Sequence, residues 1–166
     1  MKVLKAEPSD LVEVLYLLEV CVLDLNRKGF KHWNSAYPGV ENMNSAIEEG
    51  SLYLYKEKGV AKGIIVFSDS EPEGYNNLGW KSDGKKPLFL KFIAVHPLWT
   101  GKGIASELIH AAEIFAKENN YSAIRVDAYS GIQSALKLYT ELGYSEVGEY
   151  HSTFQEAPYI AYEKGL

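Results

Sequence analysis

The stretch from Val95 to Ala105 (VHPLWTGKGIA) holds the residue types that most directly suggest chemistry. An apolar run ends at Val95, and Pro97 stops a strand there because proline cannot donate to a ladder. Gly101-Lys102-Gly103 then opens a segment of helical spacing. Glycines let backbone N–H groups close on an anion without interference from a Cβ. The first turn of the helix adds free N–H groups and the positive end of its dipole, and Lys102 adds a mobile charge. A pyrophosphate would sit well in such a turn. A P-loop would need four residues between its first glycine and Gly-Lys-Ser/Thr, whereas here Lys102 precedes Gly103. A dinucleotide fingerprint would need Gly or Ala three residues after the second glycine, and Ser106 stands there. Taken alone, Gly-x-Gly better suits a helix that merely begins after a turn.

Other reactive constellations are missing from the sequence. His32, His96, His110 and His151 are too scattered for ligand spacing, so no metal is expected. No Ser-His-Asp or Cys-His pattern supports a covalent nucleophile. Cys21 lies within an apolar helical run and reads as core.

The elements that must position the turn follow from periodicity and punctuation. Lys2–Ala6 reads as a strand. Ser9 or Asp10 can cap the next helix, Asp10 standing three residues before Glu13 in a capping-box arrangement; that helix runs to about Arg27 and stops near Gly29. A second helix fits Val40–Glu49, ended by Gly50. Ser51–Lys56 and Ala61–Ser68 form a hairpin across Glu57–Gly59. Asp69–Lys86 is a long polar loop, of a length usually functional; its Tyr75 and Trp80 could fold over a cleft or serve a subunit contact. Leu88–Val95 is nearly all apolar, as a strand buried on both faces is. Helix Gly103–Glu118, strand Ser122–Ala128, helix Gln133–Leu142 and strands Tyr144–Glu149 and Pro158–Glu163 complete the order, which is that of an α+β fold with a mixed sheet. The 166 residues, 46% hydrophobic and 23% charged, suit one globular domain spanning 1–166. Net charge of −5 gives no basic footprint for nucleic acid. One cysteine, no signal-peptide pattern and no apolar run of membrane-spanning length make a cytoplasmic, membrane-free protein the expectation.

The glycine turn has a wider context. Ile93–Ala105 resembles the acetyl-CoA signature of the GNAT superfamily of N-acyltransferases, Gln/Arg-x-x-Gly-x-Gly/Ala after an apolar strand ending Val-x-Pro. Its six positions are here Thr100, Gly101, Lys102, Gly103, Ile104 and Ala105, with Thr100 where Gln or Arg is usual. Ala135-Leu136-Lys137-Leu138-Tyr139 and Leu142-Gly143-Tyr144 resemble the family's Asn-x-x-Ala-x-x-Leu-Tyr and Leu-Gly-Phe, with Ile132 where Asn is frequent. The motif match covers about Leu90 to Tyr144.

The resemblance implies a GNAT-like, mostly antiparallel mixed sheet of about seven strands flanked by about four helices. It implies an N-acetyltransferase that moves an acetyl group from acetyl-CoA to a primary amine of a small molecule or peptide by direct attack. Ile93, Ala94 and Val95 match the strand that offers backbone groups to the pantetheine and the thioester carbonyl, where a bulge would aim an N–H at the developing oxyanion. Tyr139 matches the family's general acid; a phenol, with a reference pKa near 10 against about 8.5 for a thiol, is protonated at neutral pH and can donate. Trp33 and Tyr37, in the aromatic segment after the first helix, match the loop that lines the acceptor cleft in the family; packing over the core accounts for them at least as well. The base stays open: Lys91 would be protonated unless strongly desolvated, Asp127 is a weaker candidate on a strand whose parity sets it against Val126 and Ala128, and a water chain would serve equally. A non-catalytic acyl-CoA sensor is the rival reading, suggested by Thr100, Ile132 and the missing base, and a purely structural α+β domain is a third. Exposed strand edges leave room for a homodimer.

Overall fold

A computed structural model describes residues 2–82, 85–152, 155 and 157–166. Asp83 and Gly84, within the expected long loop, lie outside the described residues. The strands are β1 (Val3–Lys5), β2 (Leu52–Glu57), β3 (Val60–Ser68), β4 (Pro87–Val95), β5 (Ala123–Tyr129), β6 (Ser145–Tyr150) and β7 (Tyr159–Gly165). The α-helices are α1 (Leu11–Arg27), α2 (Val40–Glu48), α3 (Ile104–Glu118) and α4 (Gln133–Glu141). The seven strands form one sheet in the order β1-β2-β3-β4-β5-β7-β6. β1–β2, β2–β3, β5–β7 and β7–β6 pair antiparallel, and β4–β5 pairs parallel. This is the α+β, mostly antiparallel architecture expected, with element bounds within two residues of the sequence reading.

All four helices stop in the same way. In α1 the N–H of Phe30 reaches back to the carbonyl of Leu25, and that of Gly29 to Asn26. In α4 Tyr144 reaches Tyr139 and Gly143 reaches Thr140. These are Schellman closures, which need a left-handed residue between helix and exit strand. Glycine takes that place after α1, α2 and α4, and Asn120 (φ 59°) takes it after α3.

The start of α1 differs from expectation. Asp10 is itself helical (φ −85°, ψ −10°) and makes no side-chain cap to α1. Pro8 suits the first position of a helical turn and begins a 3-10 turn, Pro8–Asp10, one step earlier. Asp10 therefore accepts the N–H of Glu7 at 2.8 Å. Glu13 accepts the N–H of Ala61 at 2.7 Å instead of closing a box with Asp10.

The chain packs as two compact units, Met1–Val66 with Phe92–Ala111, and Phe67–Lys91 with Ala112–Leu166. In the first, Val14, Leu17, Leu18 and Cys21 recur at helical spacing on α1 and share a core with Met43, Ile47, Leu52, Leu54, Ile64 and Ala94. Gly63 of β3 lets the head of α3 lie close, since a Cβ there would stand 2.9 Å from Ile104 Cγ2 and 3.2 Å from the carbonyl of Ala94.

In the second unit, Leu88, Phe89 and Leu90 are all buried, as a strand covered on both faces requires. The long segment after β3 is tied down by side chains. Tyr75 is 1% exposed. Buried Glu163 accepts the N–H groups of Lys81 and Ser82, the Ser82 hydroxyl and the Arg125 guanidinium at 2.6–2.9 Å. Trp80 stacks over Arg125 at 4.7 Å. The segment is thus a strapped part of this unit.

Candidate functional site

Three of the expected groups lie in the first unit. Among the described residues, β4 pairs with β5 at Pro87, Leu88 and Phe89. Phe92 then takes φ +41°, a backbone state uncommon for a bulky residue and one that concentrates at functional sites. The expected bulge is therefore a kink at Phe92, one residue before Ile93–Val95. Ile93 and Val95 are half-buried and Ala94 is buried. The carbonyl of Val95 accepts the Cys21 thiol at 3.4 Å. Burial, with the Asp24 charge adding to it, pushes that thiol up to about 12, so Cys21 is a core donor to the strand and no nucleophile.

Next comes the turn. His96 Nδ1 accepts the N–H of Leu98 at 3.1 Å, opening a 3-10 turn over Pro97–Trp99. The Thr100 hydroxyl donates to the carbonyl of Pro97 at 3.0 Å. Its proton therefore closes the turn and is not held out toward a ligand. Gly101 (φ +73°) and Gly103 (φ +81°) are both left-handed, with nothing within 4 Å of where a Cβ would stand. The first bond of α3 runs from Glu107 to the carbonyl of Gly103. Among the described residues, the N–H groups of Gly101, Lys102, Gly103, Ile104, Ala105 and Ser106 find no acceptor. Lys102 is exposed and makes no ion pair with a described residue. Successive free donors at the head of a 15-residue helix make a concave anion site.

Trp33 and Tyr37 are brought to the same strand. Both set ring edges against Phe92, at 6.3 and 5.5 Å between centroids. Asn26 holds the segment by donating to the carbonyls of Phe30 and Trp33. Asn34 turns it by accepting from Ala36 and Tyr37. His32 beneath is buried, which lowers its pKa to about 4.

Tyr139 belongs to the second unit. It sits in the last turn of α4, its carbonyl held by Tyr144, its ring against Tyr144 at 5.7 Å and Tyr162 at 5.5 Å. Burial first, then the charges of Asp127 and Tyr162, push its phenol well above the ordinary range. The hydroxyl makes no hydrogen bond to any described residue. It is fully protonated at neutral pH and open to donate.

Asp127, the weaker candidate for the base, lies near enough to Tyr139 for its charge to act there. Its Oδ2 accepts the hydroxyls of Tyr75 at 2.8 Å and Tyr150 at 2.6 Å. Its parity on β5 foretold its face. Nothing in the sequence foretold these partners, 52 and 23 residues away. Gly63, the Phe92 kink and the Cys21–Val95 bond were likewise invisible, because each depends on a residue distant along the chain or on an unusual φ at a non-glycine. No group of His, Cys, Asp or Glu able to hold a metal occurs among the described residues, and no helix there is long and apolar enough to cross a membrane.

Comparison with known proteins bears directly on the turn, α3, β5 and α4. The model of the acetyltransferase (GNAT) family matches residues 20–144, well over half of the chain. The chain belongs to the GNAT family. Acetyl-CoA is the acyl donor of that family, and acetyl transfer its reaction. No curated protein matches the sequence significantly. Solved structures share the fold at low identity. A GNAT acetyltransferase from Streptococcus agalactiae is similar with TM-score 0.85 and 19% identity, covering 99% of this chain and 94% of that one. A ribosomal-protein-alanine N-acetyltransferase from Brucella melitensis is similar with TM-score 0.75 and 17% identity over 100% of both chains. The Salmonella typhimurium protein yncA, whose structure contains its cofactor acetyl-CoA, is similar with TM-score 0.73 and 17% identity, covering 100% of this chain and 94% of that one.

Proposed function

We propose that this GNAT protein is an N-acetyltransferase that transfers acetyl from acetyl-CoA to a primary amine of a small molecule or peptide by direct attack. The observation that carries the reading is the run of unengaged N–H groups from Gly101 to Ser106, with Lys102 exposed beside it. With Thr100 shaping the turn through its bond to Pro97, these residues hold the pyrophosphate of the donor. Its thioester supplies an activated acetyl group. The Ile93–Val95 backbone, which follows the left-handed Phe92, receives the pantetheine arm and the carbonyl. Trp33 and Tyr37 line the acceptor side. Tyr139 donates the proton that the departing sulfur needs; its hydroxyl has no competing protein acceptor among the described residues. The solved relatives add weight: yncA has acetyl-CoA as its cofactor, and the Brucella protein is named for acetylating an alanine of ribosomal protein.

Calorimetry with acetyl-CoA and with free CoA tests donor binding, and thiol release with a panel of amines tests transfer. Binding of both ligands with amine-dependent thiol release is the expected result. Failure of both ligands to bind removes the donor assignment. Binding without thiol release for any amine makes the chain a sensor and not an enzyme.

A further inference from the structure

The exposed residues of α1 are Val12, Tyr16, Glu19, Leu23 and Arg27. On a helix of 3.6 residues per turn these five fall within about 80° of one another. Three of them are large and apolar, with 79% (Val12), 64% (Tyr16) and 52% (Leu23) of their surface exposed. The opposite side of the same helix carries Val14, Leu17, Leu18 and Cys21 into the core. A helix that is apolar on both sides belongs between two layers, and among the described residues only one layer covers α1. A continuous apolar row on a helix marks an interaction face, whereas single exposed apolar residues do not.

The two charges in the row are uncommitted. Glu19 and Arg27 form no ion pair with any described residue. Within one helix, charges pair at three or four residues' separation. These stand eight apart, about 12 Å along the axis, and cannot meet on their own helix. Leu23 lies midway, four residues from each.

We infer that α1 pairs antiparallel with α1 of a second copy of this chain, across a two-fold axis at Leu23. A two-fold contact must be complementary to itself, and this row is. In that register Leu23 packs on Leu23 of the second copy. Glu19 meets Arg27 of the second copy, and Arg27 meets its Glu19, so two ion pairs flank an apolar centre. The antiparallel sense also opposes the two helix dipoles. An axis between Glu19 and Val20 would match Tyr16 to Leu23 of the second copy, but it would set Glu19 against its own mate, and like charges in contact oppose association.

The edges of the sheet are poorer places for a second copy. Edge strand β1 has three residues and ends on Lys5. Edge strand β6 exposes Glu146 and Glu149 and breaks register at Gly148. Short, charged and bulged edges resist further pairing. At 17 residues, α1 is about 25 Å long. One helix face is at the small end of specific interfaces, so the dimer should dissociate in the micromolar range. None of the five residues belongs to the glycine turn, to Ile93–Val95 or to the acid Tyr139, and the contact stands whether or not the chain transfers acetyl.

Sedimentation equilibrium of the full chain, from about 1 to about 200 µM, tests the pairing. The mass should rise from monomer toward dimer across that range. Leu23→Glu places like charges on the axis and should weaken association about 100-fold or more, with the melting temperature largely kept. Glu19→Arg and Arg27→Glu should each weaken it about 10-fold or more, because each sets like charges across the contact. The double variant Glu19→Arg/Arg27→Glu should recover association to within about threefold of wild type, since the swap restores both pairs. These charge variants lie at exposed sites and decide the matter even if Leu23→Glu melts early. Under mild oxidation Leu23→Cys should yield a disulfide-linked dimer, and Val12→Cys, far from the axis, should not. A chain that stays monomeric throughout would overturn the inference and leave the face to a different kind of partner. So would a dimer indifferent to Leu23→Glu, or a double variant that associates no better than either single one.

Discussion

In the Thr100–Ala105 turn, almost everything offered to a ligand is main chain: free N–H groups on two left-handed glycines, with one solvated lysine beside them. Around Asp127 everything offered is side chain, and each group is fixed by another drawn from far along the sequence. The turn is local and open. The cluster is non-local and strapped. A backbone site of the first kind needs only that the chain turn correctly, so many side chains are tolerated in it. A cluster of the second kind fails with the loss of one oxygen atom. Affinity should therefore respond weakly to side-chain changes in the turn, and turnover steeply to changes in the cluster.

The contrast can be broken most sharply at Tyr139. Tyr139→Phe should lower kcat by about 1000-fold, with the dissociation constant for acetyl-CoA within about twofold of wild type. Equal damage to both quantities, by steady-state kinetics and calorimetry, would show that the tyrosine is merely structural.

The next largest effect concerns His32, under the aromatic segment. Its folded pKa, about 4, lies below its reference value of 6.5. The unfolded chain therefore binds a proton that the folded chain refuses. Stability is full above pH 6.5 and falls as the pH drops toward 4, by roughly 3 kcal/mol at 1.36 kcal/mol per unit. His32→Phe should flatten that slope in urea titrations across the window, and an unchanged slope would exclude His32 as its source.

Gly63 tests the turn from behind. Gly63→Val would crowd Ile104 and the carbonyl of Ala94, so the head of α3 must shift at a cost of about 1–3 kcal/mol. Acetyl-CoA affinity should fall along with stability, whereas a drop in melting temperature alone would show that the turn is independent of its support. The smallest effect is expected at Lys102. Lys102→Ala should weaken acetyl-CoA binding only a few-fold, by about 0.3–1 kcal/mol, and the difference should fade in high salt. A hundredfold loss would mean that the side chain, and not the backbone, holds the anion.

The same division decides what could be read from the sequence. Pro97, Gly101 and Gly103 announce the turn because their own chemistry dictates local backbone. Gly29, Gly50 and Gly143 announce helix ends for the same reason. The alternation of β5 placed Asp127 opposite Val126 and Ala128. Its meaning lay in two tyrosines that no local pattern links to it. The spacing of Asp10 and Glu13 fits a capping box, but Pro8 starts the turn one step earlier. Phe92 gave no sign of its left-handed φ, since that state is set by surroundings and disfavoured by the residue itself.

The straps on the segment between β3 and β4 have a practical corollary for anyone engineering the protein. Tyr75 is locked into the unit, and Lys81 and Ser82 are bound to Glu163, so the chain from Tyr75 onward will not accept inserted sequence without unpicking buried bonds. Asp69, Ser70, Glu71 and Glu73 are exposed, and Asp69–Glu73 precedes the first strap. An epitope or a fluorescent label belongs in those five residues, where added length is absorbed by solvent.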